Sequence, residues 1–198
     1  MISSSHIIYS WVLAKKTEKQ GESNKKRTLS FILGAFFPDT PTFLFFIVSG
    51  LILQVPANIM WDDMYFNSYW SIPITLSHSF IIWPFLITIS AYFGFKFLKW
   101  FSISALFHSI VDFTVHTGDA YRHFYPFSDW KFHSPISYWN SMEYGQYVST
   151  FDSFLVLGLL VFLYQRYNKS GRIIRIGIIC TGVLYGLQLL VMPFTHQM

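Results

Sequence analysis

Residues 98–116 read Leu98-Lys99-Trp100-Phe101-Ser102-Ile103-Ser104-Ala105-Leu106-Phe107-His108-Ser109-Ile110-Val111-Asp112-Phe113-Thr114-Val115-His116. The run is apolar over nearly the roughly 20 residues that cross the hydrocarbon core of a bilayer. His108, Asp112 and His116 fall at i, i+4 and i+8, along one slowly drifting helical stripe, so all three can point into a single cavity. A carboxylate and two imidazoles are costly to place in lipid unless they satisfy one another or bind something. Two readings stand side by side: a metal-ligand stripe, and a buried His–Asp hydrogen bond that locks two helices together.

Working outward, stretches at about 29–54, 73–94, 151–167 and 173–193 approach the same length. With 98–116 they predict an all-α, polytopic transmembrane helical bundle of about five spans, a single membrane-embedded domain over 1–198. The first stretch is interrupted by Pro38-Asp39-Thr40-Pro41, which predicts a broken or kinked helix whose freed backbone faces protein or water. Residues 1–14 are apolar but reach only about 21 Å at a helical rise of about 1.5 Å per residue. They read as a half-span or re-entrant helix. Lys15, Lys16 and Lys19 follow this segment, the reverse of a secretory signal.

Composition agrees. Of 198 residues only 12% are charged, against roughly 25% in an ordinary soluble protein. Hydrophobic residues make up 53% and aromatics 21%, and the mean hydropathy is +0.39. A disordered tail and a typical cytosolic enzyme are both excluded. Cys180 is the one cysteine, so neither an intramolecular disulfide nor a thiolate zinc site is available.

The few charges divide by side. Lys15, Lys16, Lys19, Lys25, Lys26 and Arg27 precede the first span; Lys96 and Lys99 lie between the second and third; Arg166, Lys169, Arg172 and Arg175 lie between the fourth and fifth. Only Arg122 and Lys131 fall on the other side. The positive-inside rule makes the basic side, including the 15–27 loop, cytoplasmic. The net charge of +4 is thereby explained by orientation, and no nucleic-acid partner is expected. Membrane lipids are the expected surroundings, and oligomeric state is left open.

Apart from Glu18 and Glu22, the carboxylates lie within the membrane or on the outer side, as do five of the seven histidines. Asp39 breaks the first span, His78 sits early in the second within Leu76-Ser77-His78-Ser79, and His6 lies midway along the N-terminal half-helix. Singly, Asp39 could cap the following helix, and His78 could be a satisfied core residue. Together four segments each contribute His or Asp. Oxygen and imidazole ligands without sulfur suit Zn, Mn or Fe better than copper.

The outer loop at 117–150 is rich in aromatics, among them Tyr125, Phe127, Trp130, Tyr138 and Trp139. It fits either a lid at headgroup level or a simple aromatic belt. Asp119, Arg122 and His123 lie just beyond the His108/Asp112/His116 stripe, and Asp152, opening the fourth span on the same side, could close the site.

Gly34-Ala35-Phe36-Phe37-Pro38-Asp39, then Leu76-Ser77-His78-Ser79, then His108-Ser109-Ile110-Val111-Asp112 and Pro126-Phe127-Ser128-Asp129-Trp130 resemble the inner-membrane metal-dependent hydrolases of the LexA-binding type. That family looks like membrane-embedded relatives of bacterial zinc-dependent phospholipase C. The resemblance covers roughly residues 3–155. It implies that His6, Asp39, His78, His108 and Asp112 correspond to metal ligands, with Asp39 able to bridge two ions and His116 a further ligand. The soluble enzymes also use an N-terminal amine and a later His-x-x-x-Glu pair. This chain lacks that pair, Glu143 and Asp152 being the nearest substitutes, so one or two divalent ions are expected, zinc first.

The expected function is a membrane-embedded, metal-dependent hydrolase, most directly a phosphoesterase or other esterase acting on a lipid or lipid-linked substrate, in the inner membrane. Metal-activated water would be the nucleophile. Asp39 would bridge ions or serve as general base, His116 and Asp119 would adjust the site, and Arg122 and His123 would contact anionic substrate oxygens. The alternatives are a non-catalytic metal-binding or structural membrane protein and, beyond that, a transporter.

Overall fold

In the computed structural model the described residues are 1–18, 25–67, 69–167 and 172–195, and among them there are helices and loops but no strand. Helix α1 spans Ser3–Lys16, α2 Lys25–Phe36, α3 Thr40–Phe45, α4 Ala57–Ile59, α5 Tyr65–Asn67, α6 Ser71–Ser77, α7 Ile82–Tyr92, α8 Lys96–Phe113, α9 Gly145–Arg166 and α10 Arg172–Thr195. Lys19 and Lys169, used above to orient the chain, lie outside the described residues, as does the middle of the 15–27 loop.

The long helices pack in the order α7, α8, α2, α1, α9, α10. Helix α1, expected as a half-span, therefore sits inside the bundle between α2 and α9. Its sequence suits that place because it buries residues on several faces, including Ser5, His6, Ile8, Ser10 and Val12. Small residues let the backbones approach where lipid supplies no hydrophobic drive between helices. Gly34 lies against the Phe101 carbonyl with no room for a Cβ, and Ala35 and Ala105 are fully buried. Ser104 donates to the Phe31 carbonyl at 2.6 Å and lies 2.9 Å from the Ser10 hydroxyl, from which it accepts. On the far side Ile8 and Val12 join Val156, Leu160, Leu163, Ile178 and Tyr185 in an apolar core.

Among the described residues two helical segments are long and apolar enough to cross a membrane: Lys25–Ile52, which runs on through the Pro38 break, and Gly145–Arg166. The pair Ser71–Ser77 and Ile82–Tyr92, bent by 50°, makes a third if counted as one span. The third expected span coincides with α8, whose 18 residues carry Lys96, Lys99 and Asp112. The fifth coincides with α10, where the side chains of 188 and 190–195 lie outside the described residues. Exposed apolar side chains such as Leu51, Phe85, Phe154 and Val161 cover the outer faces, as lipid contact requires.

Helix α9 begins at Gly145 rather than 151. The preceding loop folds back over the end of α8, with Ser134 and Tyr138 amides donating to the carbonyls of His116 and Val115 at 3.1 and 2.8 Å.

Candidate metal centre

Four side chains from three places in the chain meet in the interior. Asp39 ends the turn Phe37–Asp39, which the Pro38 break creates. His78 terminates α6, and His108 and Asp112 project from α8 one turn apart. One ligand atom from each lies within 4.8 Å of the others, so the group can hold a metal ion. His78 and His108 are fully buried, Asp112 is 1% exposed and Asp39 9%.

Hydrogen bonding fixes the chemistry of both imidazoles. His78 Nδ1 lies 2.8 Å from the Ile74 carbonyl, and His108 Nδ1 lies 2.7 Å from the Ala35 carbonyl. A carbonyl only accepts, so each Nδ1 carries a proton, and the inward Nε2 is a bare lone pair when the ring is neutral and a second N–H when it is an imidazolium. Neither Nε2 makes a hydrogen bond. Instead His108 Nε2 faces Asp112 Oδ2 at 3.2 Å and Asp39 Oδ1 at 3.5 Å, and His78 Nε2 faces the same atoms at 3.5 and 3.9 Å. A ring nitrogen and a carboxylate oxygen at these separations are reconciled by a proton on Nε2 or by a metal ion between them. Ligand atoms about 2.1 Å from a tetrahedral ion stand about 3.4 Å apart, and the observed separations bracket that value. Two imidazole nitrogens and two carboxylate oxygens suit zinc, manganese or iron. The backbone carbonyls behind the imidazoles are the outer-shell acceptors that such ligands use.

The helix-cap explanation for Asp39 does not hold: it makes no side-chain cap to α3. Its Oδ2 accepts from Ser3 Oγ at 2.5 Å. His6 is placed on the other side of Asp112, its Nε2 2.9 Å from Oδ1 and its ring stacked on His108 at 3.6 Å. The Met1 amine donates to Asp112 Oδ1 at 3.0 Å and lies 2.9 Å from His116 Nε2. His116 Nδ1 in turn lies 2.6 Å from Asp119 Oδ2. Burial acts to raise the Asp119 pKa, but the hydrogen bond from His116 outweighs it and holds the carboxyl below the usual range.

The centre opens on a cavity of about 850 Å³, which Asp39, His116, Asp119 and Tyr121 reach from one side and Trp61 and Tyr65 from another. No Lys or Arg is among its lining residues. Arg122 does not line it; it pairs with Asp129 at 2.9 Å and lies over the Tyr125 ring. His123 stands behind His78, with Nδ1 donating to the His78 carbonyl at 2.8 Å and its ring stacked on Phe80. Asp152 lies apart from the four ligands in a cage of hydroxyls: Ser5 at 2.7 Å, Tyr138 at 3.1 Å, and Tyr9. Glu143 lies in the turn Ser141–Glu143, outside the group.

Sequence reasoning missed Ser3, Tyr121, which stacks on His78 at 3.9 Å, and the aromatics of residues 55–72. The spacing Trp61-x-x-x-Tyr65 was the available signal for the last, since it puts both rings on one helical face. Comparison with protein families, with curated proteins and with solved structures gave no match.

Proposed function

We propose that this protein is a membrane-embedded, metal-dependent hydrolase of ester or phosphoester bonds in lipid or lipid-linked substrates. The observation that carries the reading is the pair of buried imidazole Nε2 atoms that make no hydrogen bond and face two carboxylates beside an aromatic-walled cavity. It is in keeping with the resemblance to inner-membrane hydrolases. The chain crosses the membrane about five times, with its basic helix ends in the cytoplasm and the cavity toward the opposite side.

Asp39, His78, His108 and Asp112 would hold the ion. When bound, a divalent ion supplies Lewis acidity and lowers the pKa of water toward neutrality. Asp39 stands at the cavity edge, where its carboxylate takes a proton from the attacking water. His116, its Nδ1–H held by Asp119, faces the same cavity and, when doubly protonated, would deliver its Nε2 proton to the leaving oxygen. Apolar walls exclude bulk water and favour a substrate whose remainder is hydrocarbon.

The test is metal content and turnover in detergent. The wild type is expected to retain one or two divalent ions per chain and to cleave bis(p-nitrophenyl) phosphate. His108→Ala and Asp112→Ala lose both properties, and Asp119→Asn keeps the ion but loses about 100-fold in turnover. A folded wild-type chain without stoichiometric metal at neutral pH rejects the hydrolase and leaves the cluster as a fastening between helices.

A further inference from the structure

A second, apolar groove of about 440 Å³ lies along α1, flanked by α8 and α9. Val12 and Leu13 come from α1, Phe107 and Val111 from α8, and Leu155 and Leu159 from α9. Its ends are Met1, which also lines the metal-centre cavity, and Lys16. Along α1 that distance is about 22 Å at 1.5 Å per residue. A hydrocarbon core about 30 Å thick gives each leaflet about 15 Å, so the groove runs through a full leaflet from the centre toward the basic side.

Its width selects the occupant. Spread over about 22 Å, the open space gives a groove about 5–8 Å across, narrower than the 10–12 Å diameter of a helix with its side chains. A polypeptide helix does not fit, and an extended hydrocarbon chain does. The polar groups on the wall are already engaged: the Tyr9 hydroxyl donates to Asp152. At the far end the Lys16 ammonium lies over the Phe162 ring at 5.6 Å, so the stem covers apolar surface while the charge reaches the interface. Leu155 is 41% exposed, which leaves the groove open sideways to the bilayer.

We infer that this groove binds an acyl chain of the lipid whose polar end occupies the metal centre, with Met1 at the junction of the two cavities. The inference rests on the hydrolase reading for the identity of the polar end, and the groove itself is testable without it. The full chain, purified in detergent and stripped of metal with a chelator, is photolabelled with palmitic acid carrying a mid-chain diazirine. The adducts are then mapped by mass spectrometry.

Adducts are expected to concentrate in residues 9–16, 107–115 and 148–159. Leu155→Trp, a substitution at the open rim that the fold accommodates, lowers that labelling several-fold. Leu184→Trp on the exposed face of α10 leaves it unchanged. Labelling spread equally over α2 and α10, or indifferent to Leu155→Trp, overturns the groove. Because no metal is needed, a chain that never holds an ion yet labels here keeps the groove and loses the hydrolase. A metal-replete chain that does not label does the reverse.

Discussion

His108 turns Nε2, which makes no hydrogen bond, toward Asp112 Oδ2 across 3.2 Å, while its Nδ1 donates to the Ala35 carbonyl. With the ring neutral and no metal ion between them this is an acceptor facing an acceptor, a desolvated arrangement that costs on the order of 1–3 kcal/mol.

Asp112→Asn reverses that sign. An amide nitrogen in place of Oδ2 donates to His108, while the retained oxygen still accepts from His6 and Met1. The metal-free variant is expected to melt at or above the temperature of the metal-free wild type. Zinc at about 100 times its Kd stabilises the wild type by about 2.7 kcal/mol and leaves the variant unmoved. A metal-free variant well below the wild type in thermal melts would mean that the pair is an ordinary ion pair with a proton on Nε2.

Asp152 separates stability from metal binding. Its carboxylate satisfies three hydroxyls and lies apart from the four ligands. Asp152→Asn is expected to cost about 2 kcal/mol through weakened charge-assisted bonds while metal content by mass spectrometry stays at the wild-type level. Loss of the ion would restore Asp152 to the ligand set.

His123 gives the stability an acid limb. Burial lowers its pKa to about 4, below the unfolded value of about 6.5, so the folded chain favours the neutral ring. This contribution is complete above pH 6.5 and is lost as pH falls toward 4, amounting to about 3 kcal/mol. In metal-free protein His123→Gln, which keeps a donor for the His78 carbonyl, should flatten the fall between pH 7 and 4.5. An unchanged slope would assign it to other groups.

Gly34→Ala tests the helix contact that brings the ligands together. A methyl group there meets the Phe101 carbonyl, so α2 and α8 must separate at a cost of about 1–3 kcal/mol. Asp39 follows α2 and His108 lies on α8, so zinc affinity should fall with stability. Unchanged affinity would show that the ligand geometry is set elsewhere.

The i, i+4 spacing of His108 and Asp112, the Pro38-Asp39 break and Ser-His-Ser at 78 were legible because each depends on local geometry or on the rarity of such groups in an apolar run. The convergence of Asp39, His78, His108 and Asp112 followed from that scarcity. Asp152 was read as a ligand for the same reason, yet its partners are hydroxyls of Ser5, Tyr9 and Tyr138, which pattern alone does not distinguish from other polar residues. The carbonyls of Ile74 and Ala35 fix the imidazole tautomers and carry no side-chain signature. Arg122 follows the α8 stripe closely in sequence, but Asp129 draws it away from the cavity. The crossings were less legible than the apolar runs, because Lys96, Lys99 and Asp112 make α8 too charged for hydropathy to decide.

The bond between Ser5 and Asp152 joins residues 147 positions apart. At about 5–20 residues per second, synthesis takes about 7–30 s to bring the second partner out after the first. During that interval α1, with Ser5, His6 and Ser10 on its faces, has no α9 to pack against. Until then α1 has only α2 and α8 as neighbours, and the side that faces α9 stays uncovered. The four ligands, all within residues 39–112, emerge before that contact can close, so a ribosome stalled before residue 152 would hold a chain whose ligands are made while the α9 side of α1 is still open.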